Sequence, residues 1–145
     1  MQKNKLVIYC DGGSRGNPGP AASAFVVTNS NTVLHKESKF LGNETNNVAE
    51  YSAVLLAVIW LSRNLILNSQ SLIINLDSQL VERQLNGFYK IKNLKLKLFY
   101  NEIKKLILKK KLSIKFVWNF RDYNKLADLL VNEELDLNGK SKKFM

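Results

Sequence analysis

Four acidic side chains occur in apolar surroundings where a neutral residue is expected. Asp11 and Asp77 each follow an apolar, strand-like run, whereas Glu50 and Asp128 each lie about one turn into a segment with helical periodicity. A carboxylate on an apolar face is costly to bury unless it is paired or bound to a metal. If the two strands are parallel neighbours, their carboxyl ends meet at one sheet edge, where open α/β sheets place their ligands. The four carboxylates are therefore candidates for one shared site.

The chemistry of such a site follows from its ligand type. Four carboxylates in mutual reach repel one another at neutral pH, and divalent cations remove that repulsion. Hard oxygen ligands select Mg²⁺ or Mn²⁺ rather than zinc, and the single histidine, His35, lies in a different, strand-like segment. The single cysteine, Cys10, cannot form an intrachain disulfide. We expect Cys10 to pack as a small buried residue rather than to act as a nucleophile.

The segment after Asp11 also has a purely structural interpretation. Asp, Gly, Asn and Pro are the residues of tight turns, and residues 17–20 (NPGP) are typical of a turn. A turn explains the glycines of residues 12–19 but not an aspartate at the end of an apolar strand. We therefore interpret the glycines as allowing close approach of a substrate backbone beside Asp11.

The charge balance predicts a polyanionic partner. The 145 residues include 22 Lys and Arg against 12 Asp and Glu, a net charge of +10. Domains this basic commonly neutralise phosphates. Lysines cluster at residues 90–97, 104–111 and 140–143, although solvated faces and a frayed tail explain such clusters too. Composition alone does not identify the polyanion.

Length and composition also predict the organisation of the chain. We expect one domain over residues 1–145, with a basic and flexible tail from about residue 138. The longest unbroken apolar run, residues 53–61, is shorter than the roughly 20 residues that cross a bilayer. Residues 1–5 lead directly into a strand-like segment without an apolar signal region. These features predict a cytoplasmic protein with no membrane partner, and we separately expect a monomer.

Hydrophobic periodicity predicts five strands and four helices. Three strands joined by short turns imply an antiparallel meander, and the later alternation of strands and helices implies parallel strands. The order βββαβααβα indicates an α/β fold with a mixed sheet and helices on its faces. The predicted strands cover residues 5–10, 21–28, 32–41, 71–78 and 112–120, and the predicted helices cover residues 45–64, 79–87, 93–110 and 124–136.

Four ordered segments resemble the motifs of type 1 ribonuclease H, the enzyme that cuts the RNA strand of RNA–DNA hybrids. They read DGGSRGNPGPAA, TNNVAEY, LDSQLV and RDYNKLADLLVN, and the resemblance runs from about residue 6 to residue 134. It implies a ribonuclease H-like fold with a five-stranded mixed sheet. It also implies an endonuclease that leaves 5′-phosphate and 3′-hydroxyl ends by two-metal hydrolysis with Mg²⁺, for which Mn²⁺ can substitute.

The resemblance gives each of the four carboxylates a role. It makes Asp11, Glu50, Asp77 and Asp128 the catalytic, metal-binding residues, with Asp11 expected to bridge both ions. It also implies a set of substrate-facing residues: Asn17, Asn46, Asn47 and Gln79 toward the minor groove of the hybrid, Ser14 at another substrate-facing position of the first loop, and Thr45 toward a phosphate of the DNA strand.

Several of these residues have simpler interpretations. Helix capping, worth about 1 kcal/mol, explains Thr45 and Asn46 as well, and capping and substrate contact can coexist. Asn47 and Gln79 can be surface amides. Asn124 either orients groups near Asp128 or caps the last helix.

The chain departs from the family pattern in two places. Many members carry a histidine in the loop before the last carboxylate, whereas here Trp118 stands about where such a histidine would fall. Arg121 is the best substitute, because it can hold a phosphate and offset charge although it cannot act as a base. The basic insertion of some members is also replaced by a short link. Its Tyr89, Lys90 and Lys92 supply a smaller basic contact or belong to a solvated loop.

Two other functions stay open at this point. The chain could be a nucleic-acid-binding module that has kept the fold without catalysis, although the presence of all four carboxylates argues against it. It could also be a nuclease that cuts double-stranded RNA, because the A-form minor groove of that duplex exposes 2′-hydroxyl groups as well.

Overall fold

The computed structural model describes residues 5–64 and 71–143, and the order of its elements is the predicted one. Residues 1–4, on which the prediction of a missing signal region partly rests, lie outside the described residues. The strands are β1 (Lys5–Ser14), β2 (Gly19–Asn29), β3 (Thr32–Glu44), β4 (Ser71–Leu76) and β5 (Ile114–Trp118). The helices are α1 (Asn46–Arg63), α2 (Gln79–Leu85), α3 (Leu94–Lys109) and α4 (Lys125–Lys143), and a 3₁₀ turn (Arg121–Asn124) precedes α4.

The five strands form one mixed sheet in the order β3-β2-β1-β4-β5. β1, β2 and β3 pair antiparallel, whereas β4 pairs parallel with β1 and β5 pairs parallel with β4. The predicted meander and the parallel half are both confirmed. The pairing of β1 with β4 ends at Cys10 and Leu76. Asp11 and Asp77 are the next residues of the two chains, so both carboxylates lie where the two strands part.

β1 is longer than predicted. The sequence predicts a strand that ends at Cys10 before a glycine turn, but Asp11 to Ser14 continue to pair with Ala24 to Ala21 of β2. Gly12 is a strand residue here, and a Cβ atom at this position would lie 2.2 Å from the carbonyl carbon of Ala49 in α1. Helix packing therefore requires that Gly12 lack a side chain, while the expectation that the glycines serve substrate approach stays a prediction.

The two faces of the sheet are covered differently. α1, α2 and α3 enclose a large apolar core on one face, in which Leu6, Ile8 and Cys10 of β1 are fully buried. On the other face, α4 packs through a small cluster: Ala22 and Ala24 of β2 with Val131 and Leu135 of α4.

Short side chains begin three of the helices. Thr45 caps α1, its Oγ1 accepting from the Val48 N–H at 3.2 Å, and Ser78 and Asn93 cap α2 and α3 in the same way. α4 continues past its predicted end at Asp136 to Lys143, while residues 144 and 145 of the predicted basic tail lie outside the described residues. Within residues 5–64 and 71–143, no helix combines the length and the hydropathy that crossing a membrane requires.

Candidate active site

Three carboxylates converge at the point where β1 and β4 part. Asp11 comes from β1, Asp77 follows the last residue of β4, and Glu50 projects from the second turn of α1. Each offers one carboxylate oxygen, and the three oxygens lie within 4.8 Å of one another. Asp11 and Glu50 are buried and Asp77 is half-buried. The predicted convergence of these three residues is therefore confirmed, although the sequence separates them by dozens of positions.

The electrostatics of the cluster are unfavourable without a cation. The pKa of Asp11 is raised from 3.8 to about 8. Burial is the largest cause of this rise, followed by the neighbouring carboxylates of Asp77 and Asp128. Burial and the charges of Asp11 and Asp77 also raise the pKa of Glu50 well above its ordinary value. Burial raises the pKa of Asp77, although Arg121 opposes that rise. Bringing these groups together therefore costs free energy that a bound cation can offset.

Asp128 approaches the cluster from α4, on the opposite side from Glu50. Its Oδ1 accepts from Nη2 of Arg121 at 3.3 Å. Together the four carboxylates line one cleft of about 400 Å³. The other lining residues are Gly12, Gly13, Ser14, Arg15, Asn46, Ser78, Arg121, Val131, Asn132 and Leu135.

The donor set fits a hard divalent cation. All the converging ligands are carboxylate oxygens, which are the ligands that Mg²⁺, Ca²⁺ and Mn²⁺ prefer. Oε2 of Glu50 is buried and has no hydrogen-bond partner among the described residues. A buried carboxylate oxygen without a partner is rare in native structures, and a bound cation accounts for it directly.

The polar residues of the β1–β2 loop are tied to the start of α1. The backbone N–H and the hydroxyl of Ser14 both donate to Oδ1 of Asn46, at 2.8 and 3.1 Å. The Asn46 N–H in turn donates to Oδ1 of Asn17 at 3.0 Å. Three of the predicted substrate residues thus form one hydrogen-bonded group at the rim of the cleft.

The remaining predicted amides occupy varied positions. Asn47 is half-buried in the first turn of α1, and Gln79 is exposed as the first residue of α2. Asn124 is buried, and its Nδ2 donates to the Cys10 carbonyl at 2.8 Å. The side chain of Asn124 therefore braces β1 beside Asp77 rather than capping α4, and the predicted orienting role near Asp128 stays a prediction.

Lys90 and Lys92 do not line the carboxylate cleft. Both are exposed, and Lys90 lines a separate depression of about 320 Å³ together with Tyr89, Lys97 and Tyr100. Any contact that these lysines make with a nucleic acid is remote from the carboxylates.

The single cysteine and the single histidine have packing roles. Cys10 is fully buried, and burial, followed by the charges of Glu50 and Asp11, raises the pKa of its thiol. His35 stacks on Trp60 with 5.0 Å between ring centroids. Neither residue lines the cleft, and the predicted burial of Cys10 is confirmed.

Three polar residues of the cleft, Arg15, Ser78 and Asn132, are not among the predicted site residues. Asn132 lies four residues after Asp128, and residues spaced by four share one helix face. That spacing was therefore a usable signal. Arg15 lies among turn residues, and its position in the cleft depends on partners in α4 that no local pattern indicates.

Comparisons with known proteins agree with the fold. A family model described as reverse transcriptase-like matches residues 9–134. The bifunctional protein Rv2228c of Mycobacterium tuberculosis is 36% identical over 139 residues, which are 94% of this chain and 37% of that protein. Ribonuclease HI of Halobacterium salinarum is 35% identical over 138 residues, which are 91% of this chain and 65% of that protein. The chain thus spans little more than a third of the mycobacterial relative.

Solved structures give a closer match in length. LC11-RNase H1, isolated from compost by a metagenomic approach, is 39% identical with a TM-score of 0.87, and the alignment covers 93% of this chain and 98% of that one. The same protein in complex with an RNA/DNA hybrid gives 38% identity, a TM-score of 0.88 and coverage of 92% and 99%. Since its fold and sequence follow a ribonuclease H1 over nearly the full length of both chains, this chain belongs to the type 1 ribonuclease H family.

Proposed function

We propose that this chain is an endonuclease that hydrolyses the RNA strand of RNA–DNA hybrids and leaves 5′-phosphate and 3′-hydroxyl ends. The observation that carries the proposal is the cluster of Asp11, Glu50 and Asp77, with one oxygen of each within 4.8 Å of the others. The hybrid complex of LC11-RNase H1, at 38% identity, supports the choice of substrate.

The cofactor we infer is Mg²⁺, with Mn²⁺ as a substitute. Asp11, Glu50, Asp77 and Asp128 would hold it, since all four line the cleft and offer only oxygen ligands. When bound, a pair of such ions activates the attacking water and neutralises charge on the departing 3′ oxygen.

The residues of the chain supply position and charge. The strand ends and α1 hold Asp11 and Glu50 before any substrate arrives, so the cluster is preorganised. Arg121 sits at the cleft beside Asp128 and offsets negative charge there. It cannot accept a proton, so in this chain we assign it to phosphate contact rather than to proton transfer.

Recognition of the hybrid would use the amide group at the rim. Ser14, Asn17 and Asn46 are held together by hydrogen bonds at one end of the cleft. Side-chain amides and hydroxyls there can hydrogen-bond the 2′-hydroxyl groups that distinguish RNA from DNA. Asn47, Thr45 and Gln79 lie on or beside the starts of α1 and α2 and would extend this surface.

The substitution Asp77→Asn tests the assignment. Asparagine keeps the shape of the side chain but removes a charged oxygen, so we expect Mg²⁺-dependent cleavage to fall by about 10²- to 10³-fold, as removal of a key electrostatic group typically does. Binding of the hybrid, measured by fluorescence anisotropy, should change little. Asp122→Asn is the matched control, because Asp122 is exposed and does not line the cleft.

Substrate choice is tested with the wild-type chain. Labelled RNA–DNA hybrid, double-stranded RNA and double-stranded DNA are incubated with and without Mg²⁺ or Mn²⁺, and products are resolved on a denaturing gel. We expect cleavage of the hybrid. Cleavage of double-stranded RNA as well would broaden the substrate class, whereas binding without cleavage in either metal would favour a silent binding module.

A further inference from the structure

The charge distribution inside the cleft presents a problem for a polyanionic substrate. Four carboxylates line the cleft, whereas the lysine clusters of the chain lie elsewhere. Of the described residues that line it, only Arg15 and Arg121 carry a positive charge. Arg121 is already paired with one of the four carboxylates, Asp128. Arg15 is therefore the cation whose role the proposed chemistry leaves unassigned.

Arg15 reaches from the β1–β2 loop across to α4. Its Nη2 lies 2.7 Å from Oδ1 of Asp136 and 3.4 Å from Oδ1 of Asn132. Nδ2 of Asn132 donates to the Asp128 carbonyl at 3.0 Å. The guanidinium of Arg15 therefore lies beside the part of α4 that carries Asp128. Both of these contacts of Arg15 are made by Nη2.

Contacts within the β1–β2 loop hold the backbone of Arg15 in place. The Arg15 N–H donates to the Pro20 carbonyl at 2.8 Å. A Cβ atom on Gly19 would lie 2.2 Å from the Arg15 carbonyl oxygen, so the loop closes tightly on this residue. Only the side chain is therefore free to exchange partners.

The ion pair that now holds Arg15 is easily replaced. The side chain of Arg15 is 47% exposed and that of Asp136 is 58% exposed. Solvated pairs of this kind contribute little to stability, so exchanging the carboxylate for another anion costs little. A phosphate oxygen presents the same acceptor geometry to a guanidinium as a carboxylate oxygen does, and it can accept a bidentate pair.

We propose that Arg15 binds a backbone phosphate of the nucleic acid in the cleft, and that Asp136 holds its guanidinium ready until that phosphate replaces the carboxylate. This inference rests on the proposed function, because it takes a nucleic acid as the ligand. It makes Arg15 a substrate-binding residue and Asp136 a competitor of the substrate.

The pair of roles predicts effects of opposite sign. Arg15→Ala removes a phosphate contact, so KM for the hybrid should rise about 5- to 10-fold with kcat nearly unchanged. Asp136→Asn removes the competing charge, so KM should fall about 2- to 3-fold. In the Arg15→Ala background, Asp136→Asn should have no further effect, because its effect acts through Arg15.

Salt dependence separates a phosphate contact from a structural one. Binding of a labelled hybrid is measured in the Asp77→Asn background with Mg²⁺, from about 50 to about 200 mM salt. Loss of one phosphate contact should reduce the slope of log K against log salt by about 0.9. Arg15→Lys should keep the slope and recover only part of the affinity. Arg63→Ala is the matched control, because Arg63 is exposed in the last turn of α1, at the far end from the cleft.

The results discriminate between the two roles. If Arg15→Ala and Asp136→Asn both raise KM, or if the salt slope of Arg15→Ala equals that of wild type, the ion pair is a structural tie and the inference is wrong. Thermal unfolding of each variant checks that folding is retained. A wild-type chain that neither binds nor cleaves the hybrid overturns both proposals, whereas active variants with wild-type KM overturn this one alone.

Discussion

The two faces of the sheet are covered through apolar side chains of different size. On the α1 face, large side chains such as Phe25, Tyr51 and Leu61 are almost completely removed from solvent. On the α4 face, the apolar cluster is small, and its β2 members are Ala22 and Ala24. Buried apolar area is the main source of stability, so the first face contributes most of the free energy of unfolding.

Polar contacts complete the attachment of α4. The Ser38 hydroxyl donates to Oε1 of Glu134 at 2.8 Å, and Arg15 pairs with Asp136. Glu50 of the acidic cluster comes from the deeply buried α1, whereas Asp128, which approaches the cluster, comes from the more lightly held α4. We infer that Asp128 can shift more easily than Glu50, because fewer buried contacts hold its helix.

Matched leucines measure the contrast between the faces. Leu61 of α1 and Leu135 of α4 both pack on the sheet, with 1% and 4% of their surface exposed. We expect Leu61→Ala to lower the free energy of unfolding by about 3–5 kcal/mol and Leu135→Ala by about 2–3 kcal/mol, because the thinner face collapses more easily around the lost volume. Urea denaturation measures both. Equal losses in the free energy of unfolding would show that the two faces are packed equally tightly.

The charge cluster between the faces should make stability depend on pH. Without divalent ions, a folded pKa of about 8 for Asp11 means that the folded state binds a proton that the unfolded state releases near pH 4. Stability should therefore fall as pH rises from about 4 to about 8. Asp11→Asn abolishes this loss, so in EDTA it should be more stable than wild type by at least about 1 kcal/mol at pH 9 and by much less at pH 5.

Thermal unfolding at the two pH values tests this expectation. Excess Mg²⁺ at pH 9 should stabilise the wild type and should have less effect on the variant. If the stability of the wild type in EDTA does not change between pH 5 and pH 9, the inferred free-energy cost of bringing these carboxylates together is wrong.

The smallest effect concerns a single polar tie of α4. Ser38→Ala removes the hydrogen bond to Glu134, which is only partly buried. We expect a loss of about 0.5–1 kcal/mol in the free energy of unfolding, the usual net value of one such bond. A loss above about 2 kcal/mol in urea denaturation would show that polar contacts, rather than the apolar cluster, hold this helix.

Much of the fold was predictable because hydrophobic periodicity is a local signal. The apolar run in β2 and the helical repeat in α1 locate both elements, and Ser78 and Thr45 mark helix starts by their chemistry alone. The convergence of Asp11 and Asp77 follows from one further assumption, that their strands are parallel neighbours. Pairing of β1 with β4 over residues 5–10 confirms it.

What could not be predicted depends on contacts between distant segments. Gly12 and Gly13 have the composition of a turn, yet pairing with β2 keeps them in a strand. Arg15 meets Asp136 across more than a hundred positions, and no spacing rule connects a loop to the fourth turn of the last helix. Asn124 is of a residue type that commonly caps helices, but its buried side-chain amide donates to the Cys10 carbonyl instead.

The close approach of Gly12 to Ala49 has a consequence for redesign of the site. Strand and helix touch there through main-chain atoms, immediately beside Asp11 and Glu50. The separation of these two carboxylates is consequently not adjustable by trimming a neighbouring side chain. Enlarging the pocket for Ca²⁺, whose oxygen ligands stand farther off than those of Mg²⁺, would require displacing an entire helix.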